Sequence, residues 1–305
     1  MPDSLKPIAL GPEPPYDLTD PRVIRRVEQT YHMHARKSFS QHWLTDRDAL
    51  DTLIKTAELS PSSNVLEVGA GMGVLTAELA RRAGRVISVE IEKDVFPILQ
   101  DMTNHYDNVS LLQSDLLTVI PGQLFGISPY TFVANLPYAI TAFAIRHFLE
   151  TTHPPTRMVI LIQKEVAERI AASPGEMSVL ALSVQFFSTP KIVSLVPARC
   201  FMPPPKVDSA IISLDIHPPL LEEPLRSRMF SLAKMCFSQR RKQLHNSLPG
   251  SVHLPADEVN AWLESVNIDG ERRPQTLSLA EWVALAEADP RPLPLKIKPK
   301  KLVSK

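Results

Sequence analysis

The segment Asn64-Val65-Leu66-Glu67-Val68-Gly69-Ala70-Gly71-Met72-Gly73 sets a short apolar run directly against three glycines at alternate positions. A strand that empties into such a turn lets the backbone approach a ligand closely at the strand's carboxyl end. Working outward, Val74 to Arg82 predicts a helix and Arg85-Val86-Ile87-Ser88-Val89-Glu90 a second strand. The alternation continues with a helix at 93–103, strands at Val109–Gln113 and Thr131–Ala134, a helix at 140–149 and a strand at Met158–Ile162. Strands that alternate with helices build a mostly parallel sheet with helices on both faces. A helix at 164–171 and an apolar run at 178–187 follow. Two strand-like segments, 191–196 and 207–216, are expected to pair antiparallel at one edge, bringing the sheet to seven strands. Upstream, Thr19-Asp20-Pro21 has the form of a helix start for Arg22 to Tyr31, and residues 49–59 carry apolar side chains at helical spacing.

The 29 prolines fall unevenly and divide the chain. Residues 1–18 are Pro-rich and read as a disordered leader. Pro218-Pro219 and Glu222-Glu223-Pro224 mark a boundary, so residues 19–219 are expected to form a Rossmann-like α/β domain. Beyond it, 225–247, 255–266 and 278–288 have helical patterns, which makes 220–289 a small all-α domain and leaves 290–305 as a basic disordered tail.

With 44% hydrophobic and 22% charged residues, the composition is that of a globular protein with a real core. No run of about 18 apolar residues occurs, so no membrane partner is expected. The leading MPDSLKPIALGPEPPYD lacks the charged-then-apolar design of a secretory signal. Cys200 and Cys236 have neither a CxxC partner nor a nearby His pair, so no metal site is expected, and two lone thiols fit a reducing cytoplasm. Basic and acidic side chains number 33 each, so the net charge is zero, but the distribution is uneven. From Arg226 to His245 there are six Lys or Arg without an acid, and from Arg291 to Lys305 six more. Such clusters on a neutral body are local anion footprints, nucleic acid included.

Three candidate sites follow the strands. Gly69 and Gly71 form the first, and Glu90, which ends the second strand, supplies an acid placed to accept from both hydroxyls of a ribose. A dinucleotide or S-adenosylmethionine fits; Val74 stands where a dinucleotide site wants its third glycine, which leans towards the methyl donor. Ser114-Asp115 follows the third strand, where Asp115 either accepts from an exocyclic adenine amine or caps a helix. Asn135-Leu136-Pro137-Tyr138 follows the fourth strand. Pro137 removes a donor and fixes the turn, so the Asn135 side-chain oxygen and the Leu136 carbonyl become two acceptors for an exocyclic NH₂. Tyr138 offers a flat face to a base drawn out of its stack.

With these motifs the chain resembles the ribosomal RNA adenine N6-dimethyltransferases of the KsgA type, relatives of the methylases that confer macrolide resistance. The resemblance covers roughly 22–288. Lys37-Ser38-Phe39-Ser40-Gln41-His42-Trp43-Leu44 is similar to the family's KxxGQNFL, Val65–Thr76 to VLEIGPGxGxLT, Ser114-Asp115 to its GD and Asn135–Tyr138 to NLPY. Phe201 to Ser209 resembles FxPPPKVDS, and Phe237 to Leu248 resembles FxQRRKxLxNxL. The resemblance implies a class I methyltransferase fold, S-adenosylmethionine as cofactor and no metal. It implies cofactor contacts at Gln41, His42, Leu44, Gly69, Gly71, Glu90, Asp115 and Asn135, and a catalytic group of Asn135, Leu136, Tyr138 and Phe201, with Phe201 as the second stacking face. Ser40, His42 and Trp43 depart from the family's Gly, Asn and Phe. Arg240, Arg241 and Lys242, on a basic helix, are the expected phosphate contacts. The implied reaction is dimethylation at N6 of two adjacent adenosines in a hairpin near the 3′ end of small-subunit rRNA, inside a pre-30S particle, by a cytoplasmic monomer. A large-subunit resistance methylase and an assembly factor acting mainly by binding are the alternatives.

Overall fold

The computed structural model describes residues 17–32 and 42–293. Of these, the residues up to Glu168 together with Ser188–His217 form one compact unit. Arg169–Phe187 and the residues from Pro218 onward form a second.

The first unit opens with helix α1 (Pro21–Thr30), started as its sequence requires: Asp20 accepts the Arg22 N–H at 2.8 Å and Pro21 occupies the first turn. Leu18, assigned to a disordered leader, is instead buried in the core, and Asp17 Oδ1 accepts the Thr19 N–H at 3.0 Å. Next come β1 (Trp43–Leu44), α2 (Arg47–Thr56), β2 (Asn64–Val68), α3 (Val74–Ala80), β3 (Arg85–Glu90), α4 (Phe96–Thr103), β4 (Val109–Gln113), α5 (Pro121–Phe125), β5 (Thr131–Asn135), α6 (Thr141–Leu149), β6 (Arg157–Gln163) and α7 (Lys164–Ile170). After α8 (Val179–Gln185) the chain returns with β7 (Ser188–Val196), β8 (Phe201–Met202) and β9 (Ser209–Ile216).

The main sheet has the order β4-β3-β2-β5-β6-β9-β7. The first five strands are parallel, with Val65 opposite both Val86 and Thr131, and β9 runs antiparallel to both neighbours. In β5 the consecutive residues Phe132, Val133 and Ala134 are all buried, which a strand achieves only when both faces of its sheet are covered. A second, two-stranded sheet pairs Trp43 with Met202 and Leu44 with Phe201, across more than 150 residues of chain, and no local pattern announces it.

The second unit contains α8, α9 (Leu225–Ser238), α10 (Leu244–Val252), α11 (Ala256–Ser265) and α12 (Leu279–Glu287). Three expectations are corrected here. The helix expected over 225–247 is two helices with a turn at Gln239–Gln243, because Gln243 is extended and the leading amides of α10 donate outward. Leu244 N–H goes to the Arg272 carbonyl at 2.9 Å, and His245 N–H to that of Gly270 at 3.0 Å. The segment 169–187, expected within the α/β domain, joins the helical unit: Phe186 packs edge-on against Phe230 with ring centres 5.2 Å apart, and Gly175 and Met177 both donate to the Gln275 carbonyl. The expected tail begins later than residue 290, since Arg228 donates to the carbonyls of Arg291 and Pro292 at 2.8 and 2.6 Å. Among the described residues, no helix is long and apolar enough to cross a membrane.

Candidate active site

A cleft of about 480 Å³ opens at the carboxyl ends of β2 to β5. Its floor is the glycine turn. Gly71 has φ +57°, and a Cβ placed there would stand 2.6 Å from Cζ3 of Trp43, so the indole lies directly on the glycine and only hydrogen fits. Gly71 donates its N–H to Glu90 Oε2 at 2.8 Å, while Glu90 Oε1 accepts from the N–H groups of Ile91 and Glu92 at 2.8 and 2.9 Å. Three amides thus aim one carboxylate at the cleft. Beneath the turn, Glu67 Oε2 accepts from Thr76 and Ser88 hydroxyls, both at 2.6 Å. Burial, helped by the nearby Glu90 charge, pushes the Glu67 carboxyl up to about 7.

Of the two roles expected of Asp115, the structure shows the cap. Its Oδ1 accepts the Leu117 N–H at 2.9 Å, capping the 3₁₀ turn Leu116–Thr118, and the residue also lines the cleft. Asn135 ends β5, and its Nδ2 donates to the His42 carbonyl at 3.4 Å, which leaves Oδ1 as an acceptor. Leu136 buries its side chain and donates its N–H to the Leu161 carbonyl at 3.2 Å. Its own carbonyl, following the logic of Pro137, accepts no hydrogen bond among the described residues. Tyr138 starts a 3₁₀ turn, and its hydroxyl lies 2.9 Å from Ser209 Oγ; burial raises its pKa, so the phenol stays neutral.

The two-stranded sheet closes one side of the cleft. Thr45 donates both its N–H and its hydroxyl to the Cys200 carbonyl, at 2.8 and 3.0 Å. His42 Nδ1 is 2.7 Å from the Pro203 carbonyl; a carbonyl only accepts, so this nitrogen carries the proton. The His42 ring lies 5.9 Å from that of Tyr138, at 29° between planes. Leu44 and Phe201 line the cleft, yet both are about 4% exposed and belong to the core cluster. Phe201 is therefore a fixed wall of the cleft rather than an open platform.

The structure brings His42, Leu44, Gly69, Gly71, Glu90, Asp115, Asn135, Leu136, Tyr138 and Phe201 to one cleft. Gln41 lies outside the described residues. Arg240, Arg241 and Lys242 sit exposed in the turn between α9 and α10 of the helical unit. Sequence reasoning missed the Tyr138 partner Ser209, although it ends the motif at 201–209, and the Pro203 carbonyl that holds His42. No group of three or more metal-ligating side chains occurs among the described residues. Cys200 and Cys236 are buried and unpaired with each other.

A family model described as "Ribosomal RNA adenine dimethylase" matches residues 32–286. A ribosomal RNA small subunit methyltransferase A of Dehalococcoides mccartyi is 40% identical over 263 residues, covering 86% of this chain and 90% of that one. One from Geobacillus kaustophilus is 36% identical over 286 residues, covering 89% and 97%. Among solved structures, the 23S rRNA methyltransferase ErmE superposes with a TM-score of 0.67 at 31% identity, covering 80% of this chain and 98% of its own. A dimethyladenosine transferase from Plasmodium falciparum superposes with a TM-score of 0.68 at 25% identity, covering 79% and 94%. With a strand-to-glycine turn, an acid fixed at the end of β3 and a proline-set acceptor pair all opening on one cleft, and a family match over most of its length, the chain belongs to the ribosomal RNA adenine dimethylase family.

Proposed function

We propose that this protein transfers methyl groups from S-adenosylmethionine to N6 of adenosine in small-subunit ribosomal RNA, twice per base. Its targets are two adjacent adenosines of a hairpin near the 3′ end, met as a monomer on a pre-30S particle. The observation that carries this reading is the pair of acceptors at Asn135 and Leu136, without partners among the described residues and lining the same cleft as Glu90 and Asp115.

The residues present fit the methyl donor. The cleft lies within the roughly 300–1,000 Å³ usual for small-molecule sites. Glu90, oriented by three amides, would hold the ribose hydroxyls, and Asp115 would accept from the adenine amine. Bound S-adenosylmethionine supplies an electrophilic methyl group on a sulfonium. The protein's part is placement. Asn135 Oδ1 and the Leu136 carbonyl accept from the target amine, whose lone pair is otherwise delocalised into the purine ring, and turn it towards the donor. Tyr138, kept neutral and hydrogen-bonded to Ser209, lays its ring against the flipped base, an interaction worth about 1–3 kcal/mol for stacked bases. N6 loses one proton for each methyl it gains, and water takes it. Arg240, Arg241 and Lys242 contact phosphates.

The relatives' names support the choice of small-subunit rRNA, and identity to them exceeds identity to ErmE. The test is nucleoside mass spectrometry on unmodified small subunits incubated with the protein and S-adenosylmethionine, with large subunits in parallel. N6,N6-dimethyladenosine in the small-subunit rRNA alone is expected. Its appearance in the large subunit would assign the substrate of the resistance methylases instead. Binding without any methyl transfer would favour an assembly factor.

A further inference from the structure

Three large apolar side chains at the cleft stand more than half exposed: Ile91 at 55%, Leu117 at 52% and Phe143 at 69%. Their positions are not scattered. Ile91 directly follows Glu90, and Leu117 donates its N–H to Asp115. Phe143 comes from α6, one turn before His147, so the two share a helix face. His147 Nε2 lies 3.1 Å from the carbonyl of Val119, the residue that ends the Leu116–Thr118 turn. That hydrogen bond ties the Phe143 face of α6 to the turn bearing Asp115 and Leu117.

Sheet order separates this end of the cleft from the reacting end. Asp115 follows β4, the edge strand, whereas Tyr138 is held to Ser209 at the start of β9, five positions along the sheet. Phe143 follows Tyr138 by five residues, but its helix face is tied to the β4 side of the cleft through His147. The two carboxylates assigned to a ribose and an adenine amine line the same cleft as the three apolar side chains. A purine edge read by Asp115 still has two flat faces to remove from water.

We infer that Phe143 is a cofactor-binding residue, closing over the adenine of bound S-adenosylmethionine opposite Ile91 and Leu117. This inference rests on the methyl-donor reading of the cleft and adds to it an interaction that the glycine turn and its acids do not supply. An aromatic pairing of this kind is worth about three- to tenfold in affinity.

The experiment is calorimetric titration of the full chain with S-adenosylhomocysteine and with 5′-methylthioadenosine, which keeps the adenosine and lacks the amino acid. Phe143→Ala is expected to weaken both by the same factor, about three- to tenfold, Phe143→Leu by less, and Phe143→Trp hardly at all. Melting temperatures should stay unchanged, because the ring packs against little in the free protein. Unaltered affinity of Phe143→Ala for both compounds would overturn the inference, as would a loss seen with S-adenosylhomocysteine alone. Unchanged nucleoside affinity with weakened rRNA binding would also overturn it and hand the ring to the RNA. A wild-type chain that binds neither compound would sink the methyl-donor reading itself.

Discussion

Gly71 and Glu90 are joined by a 2.8 Å hydrogen bond from the glycine N–H to the carboxylate, which couples the turn after β2 to the end of β3. The same glycine has φ +57° and carries the Trp43 ring where a side chain would stand. Gly71→Ala therefore meets two penalties at once, a left-handed backbone and a collision with an indole edge. A loss of about 1–3 kcal/mol in stability is expected, with S-adenosylhomocysteine affinity falling more than about tenfold. Trp43→Phe in the same chain should restore part of both, since the smaller ring withdraws the colliding edge. Thermal melts and calorimetry on the four members of that cycle check it; additive losses would deny the collision.

At the reacting end, Tyr138→Phe should lose only the Ser209 bond and retain most activity. Tyr138→Ala should remove the stacking face and cut methyl transfer by at least about 10- to 100-fold, with affinity for S-adenosylhomocysteine near normal. Phe201 needs a gentler change. It is buried in the core, so Phe201→Ala is expected to cost about 3–5 kcal/mol and to blur any reading of activity. Phe201→Leu separates the two effects: chemical denaturation reports the packing, and single-turnover rates report the wall. An equal fall of cofactor affinity in Tyr138→Ala would refute its assignment to the base.

The pH dependence of stability should bear the mark of Glu67. Its carboxyl is raised from 4.5 in the unfolded chain to about 7 by burial, so the folded protein holds the proton more tightly. Stability from this group is therefore fully present below about pH 4.5 and is lost as pH rises through about 7. The loss is on the order of 3 kcal/mol at 1.36 kcal/mol per unit. Glu67→Gln stays neutral and can keep an oxygen towards Thr76 and Ser88. Urea midpoints at pH 5 and pH 8 should show the variant gaining on the wild type at the higher pH; parallel pH slopes would contradict it.

Replacing Arg240, Arg241 and Lys242 together with Ala should weaken binding to small-subunit rRNA without altering S-adenosylhomocysteine affinity. Every phosphate that is no longer neutralised flattens the dependence of log affinity on log salt by about 0.7–0.9. A slope unchanged between about 50 and 200 mM salt would remove these side chains from the interface.

The parts of the fold carried by local pattern were legible in the sequence. β2, β3 and β4 begin and end where their short, mostly apolar runs do, because a strand in a sheet covered by helices is read from its own local pattern. The site residues that follow strand ends were legible for the same reason, since sheet order alone gathers Gly69, Glu90, Asp115 and Asn135 at one edge. What was not legible depends on distant partners. The pairing of Trp43 with Met202 has no periodic signature in two residues, so the wall that holds His42 to Pro203 stayed hidden. The turn at 239–243 is set by the carbonyls of Gly270 and Arg272, not by any breaker in its own sequence. Ser209 stands out in the sequence only as the end of a motif, since its hydrogen bond with Tyr138 spans 71 positions.

The path of the chain between its two units has a consequence for how such a protein can be recombined. The polypeptide passes from one to the other at 168/169, 187/188 and 217/218. The strands that finish the sheet, β7 and β9, are therefore made only after α8 has been laid down for the helical unit. A stop codon after His217 would not liberate the catalytic half intact; it would leave Met177, Leu182 and Phe186 stripped of their helical companions and open to aggregation. Exchanging the helical unit between members of this family thus demands a graft at two places in the gene, the short excursion as well as the carboxyl-terminal helices. The helical unit is interleaved with the enzyme rather than appended to it.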